Sequence, residues 1–506
     1  MRALWPWALG GTAAAALAIG VGEAVAGLIG SQSIIASIGA LVIDLQPPGA
    51  KDFVVALFGE ADKLALEIAT AIGGLLMGAL LGLAAYRDPR LASLGFAIFG
   101  VVAFVVLTRD PLFDAGPAAI TVALAASVAV LSLPYVLPRQ PRAASSEETA
   151  DRSLPRRTFL LASAGALAVG AVLATVGRFL TTRLPVIGAP ATVPSPEDPL
   201  PSPPPEASLD VADLTPIIVP NEDFYRIDTR LSIPRLDAET WTVRVHGMVE
   251  RELMLTYQQL AEMPLIERYV TIACVSNEVG GYLVGNAKWT GVRLNDVLEM
   301  AGVRRRASQV VGRSFDGWTS GFPTVHLDGA GSDSMIALLM NGELLPAKHG
   351  HPLRLIVPGL FGYVSATKWL TDIELTTLDA FDAYWVPRGW AKEAPILTQS
   401  RIDVPMSGGR VPEGMTSIAG VAWAPTRGIS RVEVQVNEES WREAQLSAPL
   451  SDASWVQWHV AWQLAPGVHS IQVRATDGTG ELQDPGPTPP APDGARGWHR
   501  VQVNVS

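Results

Sequence analysis

The chain has 506 residues, one of them cysteine, and its 38 Lys and Arg against 49 Asp and Glu give a formal charge of −11. An acidic balance without a basic run on a soluble stretch argues against a nucleic-acid footprint, and a lone cysteine excludes internal disulfides. At this length two or three domains are expected, taking about 150 residues each as a guide.

Apolar residues concentrate in the first part of the chain. A membrane span needs roughly 20 of them, and Trp7–Ile29, Leu64–Tyr86, Leu91–Thr108, Ala118–Leu137 and Thr158–Val176 qualify. Residues 1–180 are therefore read as a five-helix transmembrane domain. Ile34–Leu45 is too short and Pro47–Pro48 breaks it, so Ser31–Asp62 is expected as a loop, with a re-entrant piece as the alternative. Arg2, Arg87, Arg90, Arg139, Arg142, Arg152, Arg156 and Arg157 fall on one side of this arrangement. The Lys/Arg bias makes that side cytoplasmic. A multi-pass protein of the cell (plasma) membrane results, with everything after Val176 extracytoplasmic.

Ser153–Leu161, SLPRRTFLL, reads either as a twin-arginine export signal or as positive-inside anchors. Glu23 and Glu67 are expected near the outer ends of spans, where a carboxylate reaches water. No histidine precedes His246, so the spans cannot hold a haem through two imidazoles, and the bundle reads as an anchor or docking platform.

Residues 181–214 hold nine prolines, among them Pro203–Pro205, and read as an extended, semi-rigid linker. From 215 to 395 strands and helices mix. Trp241–His246 alternates as a strand, Thr256–Met263 reads as a short helix, and Trp289–Gly302 contains a helix with Leu294, Val297 and Leu298 on one face and Gly302 as its stop. The class is α+β. From 396 to 506 the pattern is all-β: Arg431–Asn437 and Ser470–Ala475 alternate strictly, and turn signals recur at the spacing of an immunoglobulin-like sandwich. Trp423, Trp441, Trp455, Trp458 and Trp462 are read as packing residues.

The cysteine lies in Arg268–Gly281, RYVTIACVSNEVGG. Tyr269–Ala273 reads as a buried strand, and Ser276, Asn277 and Gly280–Gly281 mark the loop after it. Cys274 is either a small buried hydrophobe or a soft thiolate presented to a metal.

Met340–Leu370, MNGELLPAKHGHPLRLIVPGLFGYVSATKWL, together with the Cys274 loop, resembles the sulfite-oxidase family of molybdenum enzymes. WHRV at Trp498–Val501 fits that family's dimerisation domain, and the likeness runs from about Pro220 to the C-terminus. It implies an oxo-molybdenum centre on a single molybdopterin (Mo-molybdopterin), with Cys274 as the protein thiolate and catalytic ligand. Pterin and phosphate contacts carried over position by position are Tyr225, Arg226, Asn277, Asp316, His349, Arg354, Thr367 and Lys368, with Ala366 at the same turn. Arg suits phosphate because its fork bonds in bidentate fashion. His351 is read as a packing residue.

Sulfite oxidases follow Cys-x-x-Asn with two arginines and place a tyrosine two residues before Met-Asn-Gly. Here Glu278, Val279 and Leu338 stand at those positions. A carboxylate in place of a cation costs an anionic substrate about 4 kcal/mol per close pair at intermediate dielectric. The short loop between Cys274 and Trp289 is similar to the bacterial, periplasmic branch, whose members include a methionine-sulfoxide reductase.

The resemblance thus implies two-electron oxygen-atom transfer on a small molecule or sulfoxide-type substrate rather than on sulfite. With no Cys-x-x-Cys-His and no cluster-binding cysteines, electrons must pass to a separate redox partner. The dimerisation-type tail leaves homodimer and monomer open. The competing reading is a cofactor-free ligand- or partner-binding ectodomain of a membrane sensor or transporter.

Overall fold

In the computed structural model, residues 4–45, 62–138, 156–183, 193 and 195–506 are described. Arg2, Arg139, Arg142, Arg152, Ser153 and Pro185, Pro190 and Pro194, which enter the readings above, lie outside the described residues. The chain divides into two compact units, Met1–Pro185 with Thr229–Pro234, and Val186–Asp228 with Arg235–Ser506.

The first unit is helical: α1 (Trp5–Ile29), α2 (Ile34–Leu45), α3 (Asp62–Ala85), α4 (Pro89–Leu107), α5 (Ala115–Val136) and α6 (Arg156–Arg183). Asp88 and Asp114 start α4 and α5 by accepting the N–H of Arg90 and Gly116 at 2.9 and 3.0 Å, the usual remedy for orphaned donors at a helix start. Glycines on α1 let its neighbours close in. A Cβ at Gly11 would overlap the backbone of Gly78 and Gly82 in α3, one at Gly20 that of Gly170 in α6, and one at Gly10 that of Val136 in α5. Contact through small residues is the packing mode that works without a hydrophobic drive between helices. Five of these helices are long and apolar enough to cross a membrane, and Leu76, Leu80, Val101, Leu131 and Val172 stay exposed on them.

Two expectations are corrected here. Residues 34–45 form helix α2 rather than loop, and Glu23 does not reach out to water. It is 2% exposed and its Oε1 accepts from Ser33 Oγ at 2.9 Å and from Ile35 N–H at 3.1 Å, closing the start of α2. Glu67 is paired with Arg178 Nη2 at 2.5 Å. Thr229–Pro234 pack with this unit, where Arg230 Nη2 meets Asp110 Oδ2 at 2.8 Å and Lys63 Nζ donates to Arg230 O at 3.0 Å.

In the second unit the strands are β1 (Thr242–Gly247), β2 (Leu253–Thr256), β3 (Leu265–Ala273), β4 (Val284–Arg293), β5 (Gln309–Ser314), β6 (Thr319–Pro323), β7 (Met335–Met340), β8 (Glu343–Leu344), β9 (Arg354–Ile356) and β10 (Leu370–Thr376). One sheet has the order β2-β1-β10-β5-β6 and another β3-β4-β7-β8, with β9 on β7. Short helices α7 (Tyr257–Ala261) and α8 (Leu294–Ala301) connect them. A capping box between Thr256 and Gln259 starts α7, and Gly302 at φ +69° ends α8, the stop expected there from the sequence.

Beyond Ile396, strands Gln399–Val404, Gly414–Trp423 and Val456–Leu464 form one sheet and Ile429–Val436, Gly467–Asp477 and Arg500–Val505 another. Trp458 and Trp462 lie in the core these sheets share. Trp423 and Trp455 instead join the same core as Val270, Trp289 and Ile373, so the packing is continuous across residue 396. The proline-rich segment is not a free spacer from Glu197 onward. Glu197 N–H donates to Leu265 O at 3.0 Å, Leu200 N–H to Glu267 Oε2 at 3.0 Å and Leu209 N–H to Gln457 Oε1 at 2.7 Å. Extended backbone leaves its polar groups unpaired internally, and an adjacent strand edge satisfies them.

Candidate active site

β3 and β4 pair antiparallel down to Ala273 opposite Val284, so Cys274–Leu283 is the loop of one hairpin. The sulfur therefore sits where a strand buried except at Arg268 ends, and Cys274 is half-buried. The loop is pinned by its own polar groups. Cys274 N–H donates to Leu283 O at 2.9 Å, Asn277 N–H to Cys274 O at 3.0 Å, and Leu283 N–H to Asn277 Oδ1 at 2.8 Å. Asn277 is thus committed to holding the loop. Tyr225 lies close enough to Cys274 and Arg354 to feel both, and its phenol is held protonated well above the ordinary tyrosine range, first by burial and next by the cysteine.

A second group assembles around HGHPLR. Gly350 stands at φ +117°, and a Cβ there would press on Lys368 Cα and Arg354 Cβ at 3.1 Å, so glycine lets these two segments meet. His349 Nε2 lies 2.8 Å from Asn221 O. A carbonyl only accepts, so Nε2 carries the proton and Nδ1 is left as an acceptor. Burial, and then Lys368, pull the His349 pKa down to about 3, so the ring is neutral.

Arg354 is 3% exposed. Its Nη1 donates to His349 O at 3.0 Å, its Cζ lies 4.9 Å above the Trp289 ring, and its buried Nε has no hydrogen-bond partner. Burial lowers its pKa to about 10. Among the described residues no carboxylate pairs with it.

Arg226 and Lys368 meet on Asp228. Arg226 Nε and Lys368 Nζ lie 2.9 and 3.1 Å from Asp228 Oδ2. Thr367, fully buried, shares a 2.7 Å hydrogen bond with Ser320 Oγ. A Cβ at Gly312 would sit 2.5 Å from Thr367 Oγ1. Asp316 Oδ1 accepts from Trp318 N–H at 3.2 Å in its own turn, and its neighbour Phe315 sits edge-on to Trp369, next to Lys368. Of the expected residues, Cys274, Tyr225, Arg354 and His349 form one string, Arg226 and Lys368 meet on Asp228, Thr367 pairs with Ser320, and Asn277 and Asp316 act on their own turns. His351 is buried.

Sequence reading missed Asp228, Asn221, Asn341 and Phe224. Asn341, at φ +55°, donates to Val219 O at 2.8 Å and Asn221 Oδ1 at 2.9 Å, which fixes the turn whose Asn221 carbonyl receives His349. Phe224 stacks on Tyr225 and stands edge-on to His349. The Met-Asn-Gly turn was the signal for Asn341; the others depend on distant partners.

Residues 230–385 match the family model of the oxidoreductase molybdopterin-binding domain. An uncharacterised oxidoreductase of Bacillus subtilis, YuiH, is 32% identical over 154 residues, 30% of this chain and 74% of that protein. The chain belongs to the sulfite-oxidase family of molybdopterin oxidoreductases. Mouse mitochondrial sulfite oxidase is 29% identical over 344 residues, 57% of this chain. The chain covers 62% of that relative's length. The sulfane dehydrogenase SoxCD of Paracoccus pantotrophus shares the fold, at 22% identity and a TM-score of 0.50 over 60% of this chain and 85% of that one.

The side chains present fit the family's cofactor. A buried guanidinium with an unused N–H and no carboxylate, beside Lys368, is a demand for an anion, and a phosphate answers it. The family's cation positions after Cys-x-x-Asn are filled differently here. Glu278 is exposed, so its charge is screened by water and the sequence-based cost to an anionic substrate shrinks. Val279 stands beside Gly497, 3.5 Å from where a Cβ there would lie, and Leu338 is fully buried in β7. None of the three positions supplies a cation.

Proposed function

We propose that the chain is a membrane-tethered oxidoreductase that moves one oxygen atom and two electrons to or from a small sulfoxide-type substrate outside the cytoplasm. The observation that carries this is Arg354, a buried cation with no carboxylate partner among the described residues, whose neighbour Tyr225 also feels the chain's one thiol. Mo-molybdopterin, when bound, supplies the two-electron oxygen-transfer chemistry. Cys274 would be its protein ligand, the soft thiolate that suits such a metal. Arg354 and Lys368 would hold the phosphate, with Thr367 and Ser320 lining the turn. His349, with Nδ1 as acceptor, suits a pterin N–H better than a phosphate oxygen. Tyr225 keeps a phenolic hydrogen beside the sulfur, a donor at the reacting face.

Arg226 shares Asp228 with Lys368, which weakens its attraction for a dianion; with Glu278, Val279 and Leu338 also non-cationic, sulfite is disfavoured. The five apolar helices support a multi-pass anchor in the cell membrane, and Arg156–Arg157 supports either twin-arginine export or a cytoplasmic anchor. The two C-terminal sheets around one core support an immunoglobulin-like, dimerisation-type region, with a homodimer as its assembly. A separate redox protein takes up or delivers the electrons, since Cys274 is the chain's sole cysteine.

The test is a dye-coupled screen of full chain in detergent, from a host that makes the cofactor, against sulfite, sulfoxides and N-oxides. Turnover of a sulfoxide, with sulfite at least tenfold slower as an order-of-magnitude expectation from missing cation contacts, supports the reading. Rapid sulfite turnover overturns the substrate assignment.

A further inference from the structure

The Cys274–Leu283 loop is held from outside as well as from within. Arg401, on strand Gln399–Val404, is 1% exposed. Its Nη1 donates to Gly281 O at 3.0 Å and its Cζ lies 4.4 Å over the Tyr282 ring, two successive residues of that loop. Its Nη2 donates to Thr215 Oγ1 at 2.8 Å and its Nε to Asp403 Oδ1 at 2.6 Å. Asp403 Oδ2 in turn accepts Thr215 N–H at 3.3 Å. The planar fork therefore ties three chain segments together, a set of directed bonds a lysine cannot reproduce.

His499 completes the grip. Its ring lies so close to Gly280, at φ +79°, that a Cβ there would overlap it, and its Nδ1 accepts Ile402 N–H at 3.0 Å. Burial followed by Arg401 brings the His499 pKa down to about 4, keeping the ring neutral beside the guanidinium.

We propose that Arg401 is a positioning residue for the cysteine loop: the C-terminal sheets, through its guanidinium on Gly281 and Tyr282, set where the Cys274 sulfur stands. It touches neither the thiol nor a reacting atom. The positional meaning rests on Cys274 being the ligand, but the order of the loop does not, so the two can fail separately.

The test uses full chain in detergent from a host unable to make molybdopterin, followed by hydrogen exchange and by iodoacetamide alkylation, which reads Cys274 alone because it is the one thiol. In Arg401→Gln, amides of residues 275–283 should exchange on the order of tenfold faster, with alkylation accelerated similarly, while strands Gly414–Trp423 and Val456–Leu464 keep their protection. Arg401→Lys should fall between wild type and Arg401→Gln. If Arg401→Gln does not fold, Thr215→Val removes one acceptor from the fork and should loosen the same loop to a smaller degree. A loop unchanged in the variant that folds, or loosening spread evenly through both strands, overturns the proposal. Molybdenum content of the cofactor-competent preparation is a separate reading and reports on the ligand assignment.

Discussion

Lys368 Nζ lies 3.1 Å from Asp228 Oδ2, on a carboxylate oxygen that also takes Arg226 Nε at 2.9 Å. With both Lys368 and Asp228 largely buried, this pair is the electrostatic hinge of the phosphate side of the site. Removing one partner strands the other charge. Asp228→Asn should lower the stability of the cofactor-free chain by about 3–5 kcal/mol, the usual cost of breaking a buried pair. The loss should be smaller in cofactor-loaded protein, where an anion replaces the carboxylate. Thermal unfolding of both forms checks this.

Arg354 should behave oppositely. Its cation is desolvated without a carboxylate, so Arg354→Met should leave the cofactor-free chain as stable or about 1 kcal/mol more stable. The same variant should lose the pterin. The pH sign follows from its depressed pKa: above about 10 the folded chain binds fewer protons than the unfolded one, so this group's contribution rises with pH there and is flat at neutral pH. Paired unfolding and pterin-release measurements decide it.

His349 gives a window nearer neutrality. Its pKa falls from 6.5 to about 3 on folding, so the unfolded state binds the extra proton. Its contribution is complete above pH 6.5 and is lost as pH falls towards 3, at up to about 1.4 kcal/mol per pH unit. His499 acts in the same direction, so His349→Gln should flatten but not abolish the acid slope of the cofactor-free chain. Unfolding midpoints from pH 7 to 4 in both proteins test it.

Much of this architecture is legible locally. A strand ending at Cys274, a helix with Leu294, Val297 and Leu298 inward and the alternating strands near 431 and 470 are written in period and punctuation, which act over a few residues. β3 begins four residues earlier than expected, at Leu265, because Glu267 and Arg268 interrupt the apolar run yet find partners in Lys288 and in Asp198 and Asp333. The long motif makes the cofactor-binding residues visible as a family resemblance. What stays hidden needs a partner far along the chain. Arg401 clamps a loop 120 residues away, and Glu197–Leu200 lies against β3.

Helix packing in the first unit is also testable. Gly20→Ile places a branched side chain where the Gly170 backbone already stands, so α1 and α6 must part. Overpacking of a tight contact costs about 1–3 kcal/mol or more. Heat-induced aggregation of the detergent-solubilised chain should begin at lower temperature, while Ala18→Ile, at a half-buried α1 position, should change it less.

The ligand role of Cys274 is measured most directly by molybdenum analysis of full chain purified from a cofactor-making host. The expected result is about one molybdenum per chain in the wild type and almost none in Cys274→Ala, whose fold should be intact since one half-buried sulfur is all it loses. Wild-type protein free of molybdenum from such a host, or a Cys274→Ala variant that keeps its full complement of metal, would contradict it.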